Sequence, residues 1–299
     1  MTQEELIRIL SSRYGIADAA LGFLRESGGQ VYLIECGEKY LLKVIGSAFA
    51  ATARQSFSLL RYLEESGFPV PGMILTKTGA PFCQTEDGQM LLVQKYIEGD
   101  EPDLTKSARK VGELTAWLHE LLEAVPGALI VRDMPFFIGR YLDYLHKRAY
   151  PRACEYAALG ETLWSRVCAQ PTTACHGDLH RGNLLESADG QIFFLDFDTV
   201  CRAPAMFDVS VMCDMTDYFR LKEADVETTR RVYAQFLSGY ETRRGLTDAE
   251  KRSFDDWIAI RHFQLQATIV EIHGPDCINE AFIDAQLAWL RKWMEISEK

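Results

Sequence analysis

The stretch TACHGDLHRGNLLES, residues 173–187, places a cluster of polar residues between two short apolar runs. The cluster consists of His176, Asp178, His180, Arg181 and Asn183. Glycine, aspartate and asparagine are good turn formers, so the simplest interpretation is a polar hairpin loop. The flanking runs TTAC and NLLES, and then QIFFLDFDTV after the turn ADG, are typical of short strands. We therefore expect a polar loop framed by strands, and the rest of the chain must decide whether it carries chemistry.

Composition sets bounds on the protein. At 299 residues with 47% hydrophobic content, the chain can form two lobes that each bury a core. A formal net charge of −11 disfavours nucleic acid, whose phosphates require a basic surface. The sequence shows neither a membrane span nor a signal peptide, and its eight cysteines include no CxxC pair that would indicate zinc. These features predict a cytoplasmic protein without membrane or nucleic-acid partners, and they predict no particular oligomeric state.

The first hundred residues are typical of a small β-rich unit. Thr2 and Glu5 form a capping-box pattern that predicts a short first helix. The stretch GGQVYLIECGEKYLLKVIG then predicts a hairpin of two strands, Val31 to Cys36 and Lys39 to Ile45. A helix is expected over residues 50–66, which lack glycine and proline, and a buried strand in MLLVQKYIEG, residues 90–99.

Helical periodicity dominates the second part of the chain. It runs through LTKSARKVGELTAWLHELLEAV and most of residues 205–297, and the strands around the polar loop interrupt it. The two parts are expected to join near Glu98 to Pro102. A two-lobe α+β protein follows from this pattern.

Acid, amide and acid recur near predicted strand ends. The loop reads His176-x-Asp178-Leu179-x-x-x-Asn183, and thirteen residues further on an apolar strand ends at Asp196, the first aspartate of FLDFD. Phosphoryl transfer needs one group that orients the attacking hydroxyl and accepts its proton, and oxygen ligands that hold Mg²⁺ against nucleotide phosphates. Asp178 suits the first task, and Asn183 and Asp196 suit the second.

A phosphate anchor is expected on a strand of the small lobe, and Lys43 in YLLKVI occupies one. A lone strand lysine is usually only a solvated side chain. The order of glycine-rich turn, strand lysine, HxDxxxxN loop and strand-end aspartate favours the anchor instead.

With these motifs the chain resembles the aminoglycoside phosphotransferase, choline kinase and type II homoserine kinase superfamily. CHGDLHRGNLL is close to the signature of that family, and SGGQVY, LLVQKYIEG, VGELTAWLHEL and PAMFDVSVM resemble its phosphate-covering turn, hinge and two helices. The resemblance implies a protein-kinase-like fold with an antiparallel sheet and a helix in a nucleotide-binding lobe, residues 1–98. Residues 99–299 would form a larger, mostly helical lobe for catalysis and acceptor binding.

The same resemblance implies roles for single residues. Asp178 would be the catalytic base, Asn183 and Asp196 the Mg²⁺ ligands, and Lys43 the anchor for phosphates of ATP or GTP.

Supporting positions follow from the resemblance as well. The expected nucleotide-binding positions are the turn Ser27, Gly28 and Gly29, and the hinge backbone from Lys95 to Ile97. His176 would pack the loop, and Asp208 would accept hydrogen bonds from the loop backbone. For His180 and Arg181 two interpretations stay open, namely exposed side chains or contacts to phosphate or substrate.

One departure from the family pattern concerns the helix before PVP. Members usually carry a glutamate there that pairs with the strand lysine, but residues 54–60 read RQSFSLL. Glu64 and Glu65 lie near the helix end, too far along to serve, so Asp196 is a candidate partner for Lys43 instead. The departure leaves open a nucleotide-binding regulator with weak catalysis.

The favoured function is a kinase that phosphorylates a hydroxyl of a small molecule such as an aminoglycoside, choline or another amino alcohol, or a homoserine-like acceptor. A protein serine/threonine kinase of the same fold is a further alternative, disfavoured because no activation segment is evident between Asp198 and Pro204. A cationic acceptor is another open alternative. Acidic residues of the helical half would suit an amine, although such charges are more often solvated; they include Asp214, Asp217, Glu271 and Asp276.

Overall fold

The computed structural model describes residues 1–26, 29–125 and 128–297. Its strands, in chain order, are β1 (Ala20–Glu26), β2 (Gln30–Glu35), β3 (Lys39–Ile45), β4 (Cys83–Gln84), β5 (Met90–Lys95), β6 (Gly99–Asp100), β7 (Thr172–Cys175), β8 (Leu184–Ser187), β9 (Ile192–Phe194) and β10 (Cys201–Pro204). The predicted strand from Lys39 to Ile45 has these bounds, and the predicted strand before it is displaced by one residue.

The helices are α1 (Gln3–Ile9), α2 (Ala50–Glu65), α3 (Leu104–Glu123), α4 (Arg140–Lys147), α5 (Ala153–Val167), α6 (Ala205–Cys213), α7 (Glu223–Tyr240), α8 (Asp248–Arg252), α9 (Phe254–His273) and α10 (Glu280–Ser297). Short π-helical segments occupy Leu10–Tyr14 and Pro135–Gly139, and 3-10 segments occupy Ser47–Phe49, Arg181–Asn183 and Phe197–Thr199. Thr2 and Glu5 form the predicted capping box at α1. Within the described residues, no helix is both long enough and apolar enough to cross a lipid bilayer.

Five antiparallel strands form the largest sheet, in the order β1-β2-β3-β5-β4. Leu6 of α1 packs on this sheet together with Ile34, Leu42 and Val93, and all four side chains are buried. Strand β1 was not predicted from the sequence. It lies at the sheet edge, and its side chains are almost all exposed, so it lacks the alternation of apolar and polar residues that marks a half-buried strand.

The chain divides into two compact units. The first consists of residues 1–102 and 182–198, and the second of residues 103–181 and 199–299. The predicted lobes, 1–98 and 99–299, placed the hairpin β8–β9 with the helical half. In the structure β8 pairs with β6, and the Phe194 amide donates to the Pro69 carbonyl oxygen at 2.9 Å, so backbone hydrogen bonds attach this hairpin to the first unit.

Helix α9 lies at the centre of the second unit and is buried along most of its length. His262 of this helix is stacked against Tyr218 and Trp289, with ring centroids 4.9 and 3.7 Å away. Its Nδ1 lies 3.1 Å from Oε1 of Gln286. Burial lowers the pKa of His262 to about 3, so the imidazole is neutral at physiological pH.

We predict that His262→Gln flattens the dependence of stability on pH. The ordinary pKa of histidine, 6.5, lies above the folded value of about 3, so between these pH values the unfolded state binds more protons. Wild-type stability should therefore decline as the pH falls below 6.5, and His262 should contribute up to about 1.4 kcal/mol per pH unit. Urea unfolding between pH 4 and 7 measures the slopes, and equal slopes for wild type and variant would contradict a neutral, buried His262.

Candidate active site

The first unit pairs Lys43 of β3 with Asp196. The neighbours Leu42 and Val44 point into the core, so strand alternation directs Lys43 to the opposite face of the sheet. Its Nζ lies 3.3 Å from Oδ1 of Asp196 and 3.9 Å from Oδ2 of Asp198. With 19% of its side chain exposed, the lysine is largely withdrawn from water. Lys43 is therefore an ion-paired side chain rather than a solvated strand lysine.

The two glutamates near the end of α2 have other partners. The Glu65 carboxylate lies 2.8 Å from Nε of Arg61, and Glu64 lies 3.7 Å from the same guanidinium. Glu64 also accepts a hydrogen bond from the Met73 amide at 3.3 Å. Asp196 thus supplies to Lys43 the carboxylate that the α2 sequence RQSFSLL lacks.

The hairpin β8–β9 brings Asn183 and Asp196 to its open end. The Leu195 amide donates to the Asn183 carbonyl oxygen at 2.9 Å, immediately before Asp196 in the chain. Asp196 has a left-handed φ of 61°, which aspartate tolerates better than most residues. Asn183 is buried. An amide oxygen and a carboxylate are the kind of ligands that Mg²⁺ prefers, so this pair fits a divalent cation chemically.

The glycine-rich turn before β2 is described only in part, since Ser27 and Gly28 lie outside the described residues. Gly29 has no room for a side chain, because a Cβ there would meet the Val44 carbonyl oxygen at 2.7 Å. At the hinge, the Lys95 amide already donates to the Gly72 carbonyl oxygen. The Ile97 amide makes no backbone hydrogen bond within the described part of the chain and remains a candidate donor to a nucleotide base.

In the second unit, Asp208 of α6 anchors the polar loop. Its carboxylate accepts hydrogen bonds from the His176 amide at 2.6 Å and the Gly177 amide at 3.0 Å. His119 Nε2 lies 3.1 Å away, and the Tyr240 hydroxyl orients this imidazole from its other nitrogen. Burial alone would raise the pKa of Asp208, but the hydrogen bond and charge of His119 and the loop contacts lower it below its ordinary value.

Gly177 is required by the geometry of the same loop. Its φ of 86° lies in the left-handed region, and a Cβ would meet the Thr199 carbonyl oxygen at 2.1 Å. The Thr199 hydroxyl donates to the His176 carbonyl oxygen at 3.1 Å. The residue before Asp178 is thus fixed from both sides.

Asp178 is held by Arg261 of α9, which was not predicted from the sequence. Nη2 of Arg261 donates to Oδ1 of Asp178 at 2.9 Å, and its Nη1 hydrogen-bonds the buried Gln264 one turn further on. Nε2 of His180 lies 3.6 Å from the other carboxylate oxygen, and Arg181 is exposed. The signal that could have identified Arg261 is a charged residue within the largely apolar stretch WIAIRHFQLQATIV, residues 257–270.

The acidic residues that suggested an amine pocket are otherwise engaged. Asp214 accepts hydrogen bonds from the amide and hydroxyl of Thr216. Asp217 accepts from the amides of Phe219 and Arg220, and Glu271 pairs with Arg140. Asp276 is exposed. Three of the four carboxylates therefore already have partners within the protein.

Comparison with solved structures shows the fold class. Amicoumacin kinase, solved with AMP-PNP, Ca²⁺ and Ami, superposes with a TM-score of 0.74 at 19% identity, covering 100% of this chain and 94% of the kinase. A microcompartment-associated aminopropanol kinase gives 0.77 at 16% identity, covering 99% and 98%. The predicted α+β, protein-kinase-like fold is confirmed.

The sequence comparison then defines the family. The model of the phosphotransferase enzyme family matches residues 24–247. An uncharacterized protein of Deinococcus radiodurans is 24% identical over 312 residues, which cover 97% of this chain and 89% of the relative. The chain belongs to the phosphotransferase enzyme family, so the predictions of that family and of an enzyme are confirmed.

We predict that Asp208→Ala lowers the free energy of unfolding by about 3 to 5 kcal/mol, because it leaves two buried amides and a buried imidazole without their carboxylate. Urea unfolding at pH 7 measures the loss. Glu227→Ala, an exposed change on α7, is the control and should stay within about 0.5 kcal/mol of wild type. Equal stability of the two variants would contradict the anchoring role of Asp208.

Proposed function

We propose that this protein transfers the γ-phosphate of ATP or GTP to a hydroxyl group of a small molecule, with Asp178 as the base. Acceptors of the proposed kind are aminoglycosides, amino alcohols such as choline, and homoserine-like compounds. The observation that carries the proposal is the Asp178 loop, whose two preceding residues are tied by their amides to the buried Asp208. Membership of the phosphotransferase enzyme family supports it.

Asp178 would orient the acceptor hydroxyl and accept its proton. As the bond from the hydroxyl oxygen to phosphorus forms, the bond from phosphorus to the bridging oxygen of the nucleoside diphosphate breaks, and the proton moves to an Asp178 carboxylate oxygen. Arg261 holds the opposite oxygen, Oδ1, at 2.9 Å and thereby limits rotation of the carboxylate. The protein forms no covalent bond to either substrate in this step, so its main contribution is to position the acceptor hydroxyl and the nucleotide.

Nucleotide binding falls to the first unit in this scheme. Lys43 would contact the nucleotide phosphates, and Asn183 and Asp196 would hold Mg²⁺, which neutralises charge on those phosphates when it is bound. Because Asp196 is the partner of Lys43 at 3.3 Å, nucleotide and metal would compete with this ion pair. Arg25, whose Nη2 lies 3.9 Å from Oδ2 of Asp196, adds a second positive charge nearby.

The two alternatives differ in what they require of Asp178. A regulator that binds nucleotide without catalysis does not need its basicity, whereas a protein kinase needs it for a serine or threonine hydroxyl. The regulator hypothesis was motivated by the missing helix glutamate, and the ion pair between Lys43 and Asp196 weakens that motive.

We expect Asp178→Asn to reduce turnover with the true acceptor by about 10²- to 10⁴-fold, because asparagine keeps the shape but loses the basicity of the side chain. Nucleotide affinity and thermal stability should stay nearly unchanged. A coupled ADP-release assay and calorimetry measure these quantities, with Asp143→Asn, an exposed change on α4, as the control. Unaltered turnover in Asp178→Asn would favour a different base, and unfolding would make Asp178 a turn-building residue.

A further expectation separates the two roles of Asp196. With Mg²⁺ present, Asp196→Asn should weaken ATP binding by about tenfold or more, the scale of a lost interaction with a charged group. In excess chelator this loss should vanish, because the remaining effect of Asp196 is to occupy Lys43. Lys43→Met should weaken binding under both conditions, and Lys147→Met at the exposed end of α4 under neither. An equal loss for Asp196→Asn with and without Mg²⁺ would exclude the ligand role.

A further inference from the structure

Two arginine side chains of the second unit, Arg132 and Arg261, lie within electrostatic reach of a third, Arg140. The guanidinium carbons of Arg132 and Arg140 lie 4.0 and 4.2 Å from the centre of the Phe136 ring. Burial lowers the pKa of Arg140, and the positive charges of Arg132 and Arg261 lower this pKa further. The carboxylate of Glu271 acts in the opposite direction. Since Arg261 also contacts Asp178, this arginine cluster (Arg132, Arg140 and Arg261) adjoins the proposed base.

Some buried hydrogen-bond donors in this region have no hydrogen-bond partner among the residues that the structure describes. They include Nη2 of Arg140 and the hydroxyl of Tyr218. Burial raises the pKa of Tyr218, so its hydroxyl is protonated. The positive charge of Arg261 lowers this pKa in part, which places Tyr218 near the cluster. A buried donor without an acceptor destabilises the folded protein, so such groups are expected to have a function.

The carboxylates that could attract an ammonium group already have partners within the protein. Glu271 is paired with Arg140, and Asp214 and Asp217 bond their own loop. Among the described residues, Arg132 has no carboxylate within ion-pair distance. An ammonium group would therefore meet guanidinium charges here, whereas an oxyanion would meet two donors that lack acceptors.

We infer that the acceptor is an alcohol that carries an oxyanion, a carboxylate or a phosphate ester, bound by Arg140 and Tyr218 in the field of Arg132 and Arg261. This inference rests on the proposed function, because it uses Asp178 as the base for the hydroxyl. It favours acceptors that carry an oxyanion over cationic amino sugars and amino alcohols. Arg261 serves both parts of the site, since it fixes Asp178 and adds positive charge.

ADP release with acceptors of matched carbon skeleton tests the inference on the full chain. One series is 3-hydroxypropanoate, 3-aminopropanol and 1,3-propanediol, and a second is glycerate, glycerol 3-phosphate and glycerol. We expect kcat/KM to be at least about tenfold higher for the oxyanionic members than for the amine and the neutral alcohols, the scale of one hydrogen bond to a charged group. The second series distinguishes carboxylate from phosphate ester.

Two variants test the assigned donors. Arg140→Gln and Tyr218→Phe should each raise KM for the preferred oxyanionic acceptor by about tenfold with little change in kcat, because they remove binding that ground state and transition state share. KM for the neutral diol should stay within about threefold. Arg231→Gln, an exposed change on α7, is the matched control. Unchanged KM in both variants would overturn the assignment of Arg140 and Tyr218.

The same assays distinguish failure of the oxyanion inference from failure of the proposed function. Preference for 3-aminopropanol, or equal use of all members, would overturn the oxyanion inference and leave the proposed function standing. Turnover of no member, together with nucleotide hydrolysis that is the same in wild type and Asp178→Asn, would overturn both.

Discussion

The buried carboxylate of Asp208 is the constraint on which the polar loop depends. It accepts the amides of two consecutive residues, His176 and Gly177, and a contact from the imidazole of His119. A charge with no exposed surface is tolerable only when such donors surround it, so the polar loop and α3, which supply them, are held in one arrangement with α6. Asp178 comes next in the chain, and its backbone position is therefore set before any substrate arrives.

Two carboxylates of the candidate site are each paired with a positively charged side chain. In the first unit Asp196, a proposed metal ligand, pairs with Lys43. In the second unit Asp178, the proposed base, pairs with Arg261. Each of these carboxylates thus has a cation at hydrogen-bonding distance, which restricts its orientation. Under the proposed function, binding of nucleotide or acceptor would exchange partners between charged groups, which would avoid the desolvation of a bare carboxylate.

Local signals made much of the fold predictable. The capping box at Thr2 and the bounds of β3 follow from side-chain chemistry and alternation over a few residues, and the structure has both. The edge strand β1 could not be predicted, because exposed residues on both faces leave no periodic pattern. The grouping of residues 182–198 with the first unit depends on pairing with β6, more than eighty residues earlier in the chain, and periodicity carries no information about such pairing.

The candidate site likewise contains residues that a local sequence motif indicates and residues that come together only in the folded chain. Asp178, Asn183 and Asp196 could be proposed from the sequence because phosphoryl transfer requires oxygen ligands and a base at a set spacing along one stretch of chain. The groups proposed to bind the acceptor have no such spacing. Arg140, Tyr218 and Arg261 lie on three separate segments, and the charge of Arg261 reaches the other two only in the folded protein. The acidic residues of the helical half suggested an amine pocket. From the sequence alone they could not be distinguished from carboxylates that are available to bind a ligand. Three of the four have partners within the protein, namely loop amides, a threonine hydroxyl and Arg140, so the net charge of −11 does not by itself indicate the chemistry beside the proposed base.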